Sequence, residues 1–146
     1  MKRRAIEVAV FVHRAEQLLV CHRTHEDYWH VVAGALEPGE TFDQAAKREL
    51  REETGLDADP QNLELEQTYG VTDDVRQLYA AGTEDVVVGN FHVVAPAGWE
   101  PTLNEEHDRY QWADLYLASE LVRWPETREA IDLLALRLRR GLSPLR

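Results

Sequence analysis

Between Thr41 and Gly55 the chain spells out one helix with both ends marked. Pro38-Gly39 makes a turn ahead of it. Thr41 and Gln44 have the spacing of a capping box, and Gly55 is the residue on which helices commonly stop. A helix over about 42–54 follows. At about 100° per residue, Phe42, Ala45, Ala46, Glu49, Glu52 and Glu53 fall on one side. Asp43, Gln44, Lys47, Arg51 and Thr54 fall on the other. The stripe that should pack inward starts apolar and turns acidic halfway along.

Three glutamates at offsets of three and four repel one another unless something neutralises them. A solvated helix face would place them opposite Phe42 and Ala46, yet they share that side. Carboxylates are almost never fully buried without a partner. The pattern therefore predicts a cation. The hard, oxygen-seeking ion that fits is Mg2+ (or Mn2+), held by carboxylates, waters and substrate phosphates.

Residues 34–56 also carry the pattern G-x(5)-E-x(7)-R-E-U-x-E-E-x-G-U, with U aliphatic. Gly34, Glu40, Arg48, Glu49, Leu50, Glu52, Glu53, Gly55 and Leu56 fill every specified position. In this the chain resembles the Nudix hydrolases (MutT-like). The resemblance implies hydrolysis of a nucleoside diphosphate linked to another moiety, with Mg2+ or Mn2+ held by Glu49, Glu52 and Glu53. It implies an orienting role for Arg48, whose spacing to Glu52 equally suits a surface helix pair. For Glu40 it implies a structural role more than a catalytic one.

The net charge of −11 argues against broad binding to nucleic acid, which needs a basic footprint. Bound cations reconcile that charge with a polyanionic substrate by reversing the local field. Cys21 is the only cysteine, which excludes an internal disulfide and suits a reducing, cytoplasmic setting. It reads as a half-buried strand residue. The start, MKRRAIEVAVFVH, is similar to a short signal peptide, but Glu7 interrupts its apolar run. No stretch approaches the length of a membrane span.

Elsewhere Ala5–Val12 and Gln17–Arg23 read as strands joined by a turn around Ala15, and Trp29–Val32 as a third. Leu63–Gly70, Asp85–Val94 and Arg109–Leu115 continue the series. A helix from about Pro125 to Arg139 presents Ile131, Leu134, Ala135 and Leu138 inward. These alternations predict an α/β chain, one domain over 1–146, with a mixed sheet between helical layers. The family resemblance makes this the Nudix α/β/α sandwich. Val71–Thr83 reads as a mobile substrate loop.

The family often adds a glutamate from the region of Glu105-Glu106-His107. Its acid precedes its histidine, which selects Glu106 as a further metal ligand; an exposed acidic loop is the plainer alternative. The E-H and later tryptophan, Tyr28–Gly34, and the segment around Trp124 and Arg128 are similar to the dATP or dihydroneopterin triphosphate pyrophosphohydrolase subgroup. Candidates on the substrate side are Gly34, Arg23 and Trp29. Arg23 binds a phosphate or is a surface arginine; Trp29 stacks on a ring or belongs to the core. Glu52 and Glu106 are the candidate general bases. His22, His25, His30 and His107 lack zinc spacing and read as structural or surface residues. The substrate expected is a nucleoside or pterin triphosphate. Oxidised nucleotides, ADP-ribose and dinucleoside polyphosphates are the alternatives, and a non-catalytic nucleotide-binding module or an isomerase on the same fold are competing readings. Homodimers are common in the family.

Overall fold

The computed structural model describes Lys2 and residues 4–141. Its spine is β1 (Ile6–Arg14), whose Val8, Val10 and Val12 point to one face while Ala9 and Phe11 point to the other. That alternation suits a strand buried on both sides. Along one edge β1 pairs in parallel with β6 (Asp85–Val94), which in turn pairs with the outer strand β5 (Gln61–Gly70). The opposite edge of β1 is divided. β4 (Val32–Ala35) pairs with Glu7–Val10, whereas β2 (Gln17–Arg23) joins at His13 and Arg14 through a hairpin turned at Ala15, where φ is 49°. Beyond that hairpin β2 pairs with β3 (Trp29–His30) and β7 (His107–Asp114). The seven-stranded mixed sheet therefore forks beside β1.

One face is covered by α1 (Phe42–Thr54). Ala45, Ala46 and Leu50 pack on Val10, Leu19, Val32 and Phe91. The helix approaches closely because β6 offers Gly89 beneath it; a Cβ there would lie 2.7 Å from the Phe42 ring. The capping box forms as its spacing predicts, and Gly55 ends the helix at φ 81°. α2 (Leu115–Leu121) and α3 (Pro125–Arg139) cover the second face, where Phe11, Leu18, Val20 and Val88 meet Ala118, Ile131 and Leu134. This is the α/β/α sandwich expected. No helix among the described residues is long and apolar enough to cross a membrane.

Several expectations are corrected. The stripe of α1 is rotated: Leu50 is fully buried, which carries Thr54 inward and leaves Glu52 exposed. The segment 29–32 is two strands, because the chain leaves β2 at His30 and joins β1 at Val32. The last strand stops at Asp114, whose side chain accepts the Leu117 N–H and caps α2, a helix not foreseen. Cys21 is buried rather than half-buried, and burial pushes its thiol up to about 12. The stretch 71–83 is partly packed: Val71 and Tyr79 lie in the α3-side core around the 3-10 turn Arg76–Leu78.

Candidate active site

α1 brings its acids to the fork in the sheet. Glu53 is 1% exposed. Its carboxylate takes a hydrogen bond from the Ala33 backbone N–H and shares another with Glu49. Its Oε1 nevertheless has no partner. Burial foremost, then the shared bond and charge of Glu49 and the charge of Glu106, hold Glu53 well above the usual carboxylate range. Burial raises Glu49 as well, offset in part by its bonds with Glu53 and Arg48.

Gly34 makes this burial possible. A Cβ on Gly34 would lie 2.2 Å from Glu49 Oε1, so only glycine leaves room for the carboxylate over β4.

Arg48 is no plain surface partner. Its Nε and Nη2 donate to Glu40 at 2.7 and 2.9 Å, and Nη2 also reaches the Ala35 carbonyl at 3.1 Å. Nη1 donates to Glu49 Oε1 at 2.8 Å and Glu52 Oε2 at 3.0 Å. The planar guanidinium thus sets the spacing of three carboxylates. Glu40 also accepts the Glu37 N–H at 2.9 Å, closing the turn before α1. The Arg48 hydrogen bond holds the Glu40 carboxyl below its ordinary value.

The loop before β7 supplies Glu106. The Thr102 N–H donates to the Thr54 carbonyl at 2.8 Å and the Thr24 N–H to the Glu106 carbonyl at 2.9 Å, docking this loop against α1 and β2. Arg23 Nη1 stands 3.9 Å from Glu106, while its Nε and Nη2 donate to Glu26 at 3.3 and 3.2 Å. Glu49, Glu52, Glu53, Glu106, Arg23 and Gly34 therefore line one region.

Trp29 does not join them. It pairs with His22 on β2, packs edge-on to that ring at 5.3 Å, and lies on the α3 side of the sheet. Strand parity carries that signal: His30, Val32 and Gly34 share the α1 side, so Trp29 must face away.

Sequence reasoning set aside His30 and His107. His107 is buried beside Glu53 and His30 is half-buried; His30 Nδ1 and both ring nitrogens of His107 lack partners. His107 Nε2 stands 3.8 Å from Glu53 Oε1. Burial foremost, then the charge of Arg23, pulls His30 down to about 3 and lowers His107. His22, by contrast, is paired with Asp27 and Asp108. His107 comes to the acids through its pairing with Arg23 at the end of β2, a contact that no sequence spacing carries.

This donor set fits a hard divalent cation. A buried carboxylate with an open oxygen, beside a second raised carboxylate, is the arrangement a cation neutralises. Among the described residues no three carboxylate, imidazole or thiol groups already converge as ion ligands; Arg48 and the shared Glu49–Glu53 bond hold the acids instead.

The NUDIX domain family matches residues 3–134. The chain belongs to that family. Octanoyltransferase of Myxococcus xanthus is 33% identical over 132 residues, covering 88% of this chain. The chain spans only 35% of that relative's length. Dihydroneopterin triphosphate diphosphatase of Escherichia coli (strain K12) is 29% identical over 134 residues, 88% of this chain and 89% of the relative. The solved structure of the E. coli dihydroneopterin triphosphate pyrophosphohydrolase has a TM-score of 0.87 at 25% identity, covering 94% of this chain and 99% of that one. NUDIX hydrolases generally use divalent cations and act on small nucleotide substrates.

Proposed function

We propose that this NUDIX protein is a Mg2+- or Mn2+-dependent pyrophosphohydrolase that cleaves a nucleoside or pterin triphosphate to a monophosphate and pyrophosphate. The observation that carries the reading is the buried Glu49–Glu53 pair with one carboxylate oxygen left open. Glu49, Glu52 and Glu53, with Glu106, are the residues that would hold the cation. A bound divalent ion neutralises charge on phosphate oxygens and acidifies water.

The chain's own groups do the rest. Arg23 offers a planar fork that suits two oxygens of one phosphate, once Glu26 yields it. Arg48 keeps Glu49 and Glu52 apart at fixed spacing. The proton of the attacking water passes to an acid with solvent access. Glu52 and Glu106 are such acids, with side chains 53% and 47% exposed, whereas Glu53 is enclosed. Gly34 keeps the floor of the site low enough for substrate phosphates and the Glu49 carboxylate together. In the same reading Trp29 serves the α3-side core, and the protein works in the cytoplasm, where its lone thiol stays reduced.

The test is a panel of dATP and other nucleoside triphosphates, dihydroneopterin triphosphate, 8-oxo-dGTP, ADP-ribose and a dinucleoside polyphosphate. Each is incubated with purified protein and Mg2+ or Mn2+. Pyrophosphate release from one or more triphosphates is expected. No turnover on the whole panel with either ion overturns the proposal in favour of a non-catalytic binding module.

A further inference from the structure

We propose that His107 gives the acid site a nitrogen ligand, so that this chain holds borderline cations such as Mn2+ and Co2+ in preference to Mg2+. The inference rests on the reading of the α1 acids as a cation site and adds a ligand of a different element.

The distance carries it. His107 Nε2 and Glu53 Oε1 lie 3.8 Å apart, with side chains 1% and 2% exposed, and neither atom has a hydrogen-bond partner. That gap is too wide for a hydrogen bond, which closes at about 2.7–3.2 Å. A water bridging them at a tetrahedral angle would hold them about 4.5 Å apart. Two metal–ligand bonds of about 2.1 Å span about 3.0 Å when mutually perpendicular and about 4.2 Å when opposed. The observed gap falls between those two limits, so the two atoms stand within reach of one ion.

The backbone that carries the ring is also held in place. His107 pairs with Arg23 on β2, and its backbone N–H donates to the Asn104 carbonyl at 3.2 Å. Its neighbour Glu106 carries a carboxylate beside Glu53, so oxygen and nitrogen donors reach one region from α1 and from the start of β7. Carboxylate and water donors suit Mg2+, whereas an imidazole shifts preference toward transition ions. An unpartnered buried nitrogen is costly in a fold; a ligand role accounts for Nε2.

The experiment uses the full chain without nucleotide, titrated with Mn2+, Co2+ and Mg2+ by calorimetry. His107→Phe should weaken Mn2+ and Co2+ by at least about 10-fold, the scale on which metal-site partners act. Mg2+ should change by less than about 3-fold. In the unsubstituted protein loaded with Co2+, a paramagnetically shifted imidazole N–H resonance should appear, and it should be missing from the variant. Circular dichroism establishes that the variant is folded; His107→Gln repeats the comparison if it is not. Equal weakening of all three ions, or none, together with no shifted resonance, overturns the nitrogen ligand. Glu53→Gln separates the two layers. If it too binds all three ions as tightly as the unsubstituted protein, the acid site itself is wrong. If it loses them while His107→Phe does not, only the present inference fails.

Discussion

On the face covered by α3, the buried Asn90, Gln67, His13 and His92 side chains find neighbours. Asn90 donates to Gln67 and to the Leu65 carbonyl, Gln67 reaches Glu129 and the Glu126 carbonyl, and His13 lies 3.1 Å from His92. Glu7 accepts hydroxyls from Tyr69 and Tyr79, both at 2.7 Å. On the face covered by α1, Glu53, His30 and His107 leave four buried polar atoms without partners. Satisfied polar networks specify a packing, and unsatisfied ones mark a place that awaits something else. The same sheet thus serves stability on one side and chemistry on the other.

The sharpest way to break this contrast is Glu53→Gln. Losing a partner of a metal ligand costs about 10–100-fold, so losing the ligand should cost at least about 100-fold in kcat, measured as pyrophosphate release. The variant should stay folded; unchanged turnover would remove the α1 face from the chemistry. Next comes Gly34→Ala, whose added methyl meets Glu49 at 2.2 Å. Displacing that carboxylate should lower kcat by about 10-fold, about 1.4 kcal/mol in the barrier.

Asn90→Leu probes the other face. It strands the Gln67 carbonyl and the Leu65 carbonyl, so urea denaturation should show a loss of about 1–3 kcal/mol with kcat/KM little changed. A variant that kept its stability but lost activity would reverse the assignment of the two faces.

The smallest effect is on melting in ion-free buffer. Glu53 binds its proton more tightly folded than unfolded, so stability must rise as pH falls. The gain grows as pH drops through its raised folded value and is complete near the ordinary carboxylate value of 4.5. Tm should shift about 2–4 °C for each kcal/mol gained. Glu53→Gln should flatten the profile; an unchanged slope would mean that another group titrates there.

Much of this architecture was legible because local rules agreed with one another. The limits of α1, β6 and α3 follow from Thr41 and Gly55, a run of β-branched residues, and Pro125. The acids at 49, 52 and 53 stood out because charge interrupts an inward stripe. What escaped was set by tertiary contacts. Thr54 is buried and Glu52 exposed because the sheet, not the helical wheel, chose the edge of α1 that packs. α2 is too short for periodicity to reveal, though Asp114 marks its start. His107 gave no spacing signal because its partner in space, Glu53, lies far away in sequence.

Thr102 is anchored on the Thr54 carbonyl at the end of α1. From that anchor to Glu106 the chain has a fixed tether, and its length decides whether the fourth acid arrives over the helix. An insertion between Thr102 and Glu106 would lengthen that tether and let Glu106 move away from Glu53, while β7 keeps its register through β2. Natural variation in loop length should therefore collect ahead of the anchor, never behind it.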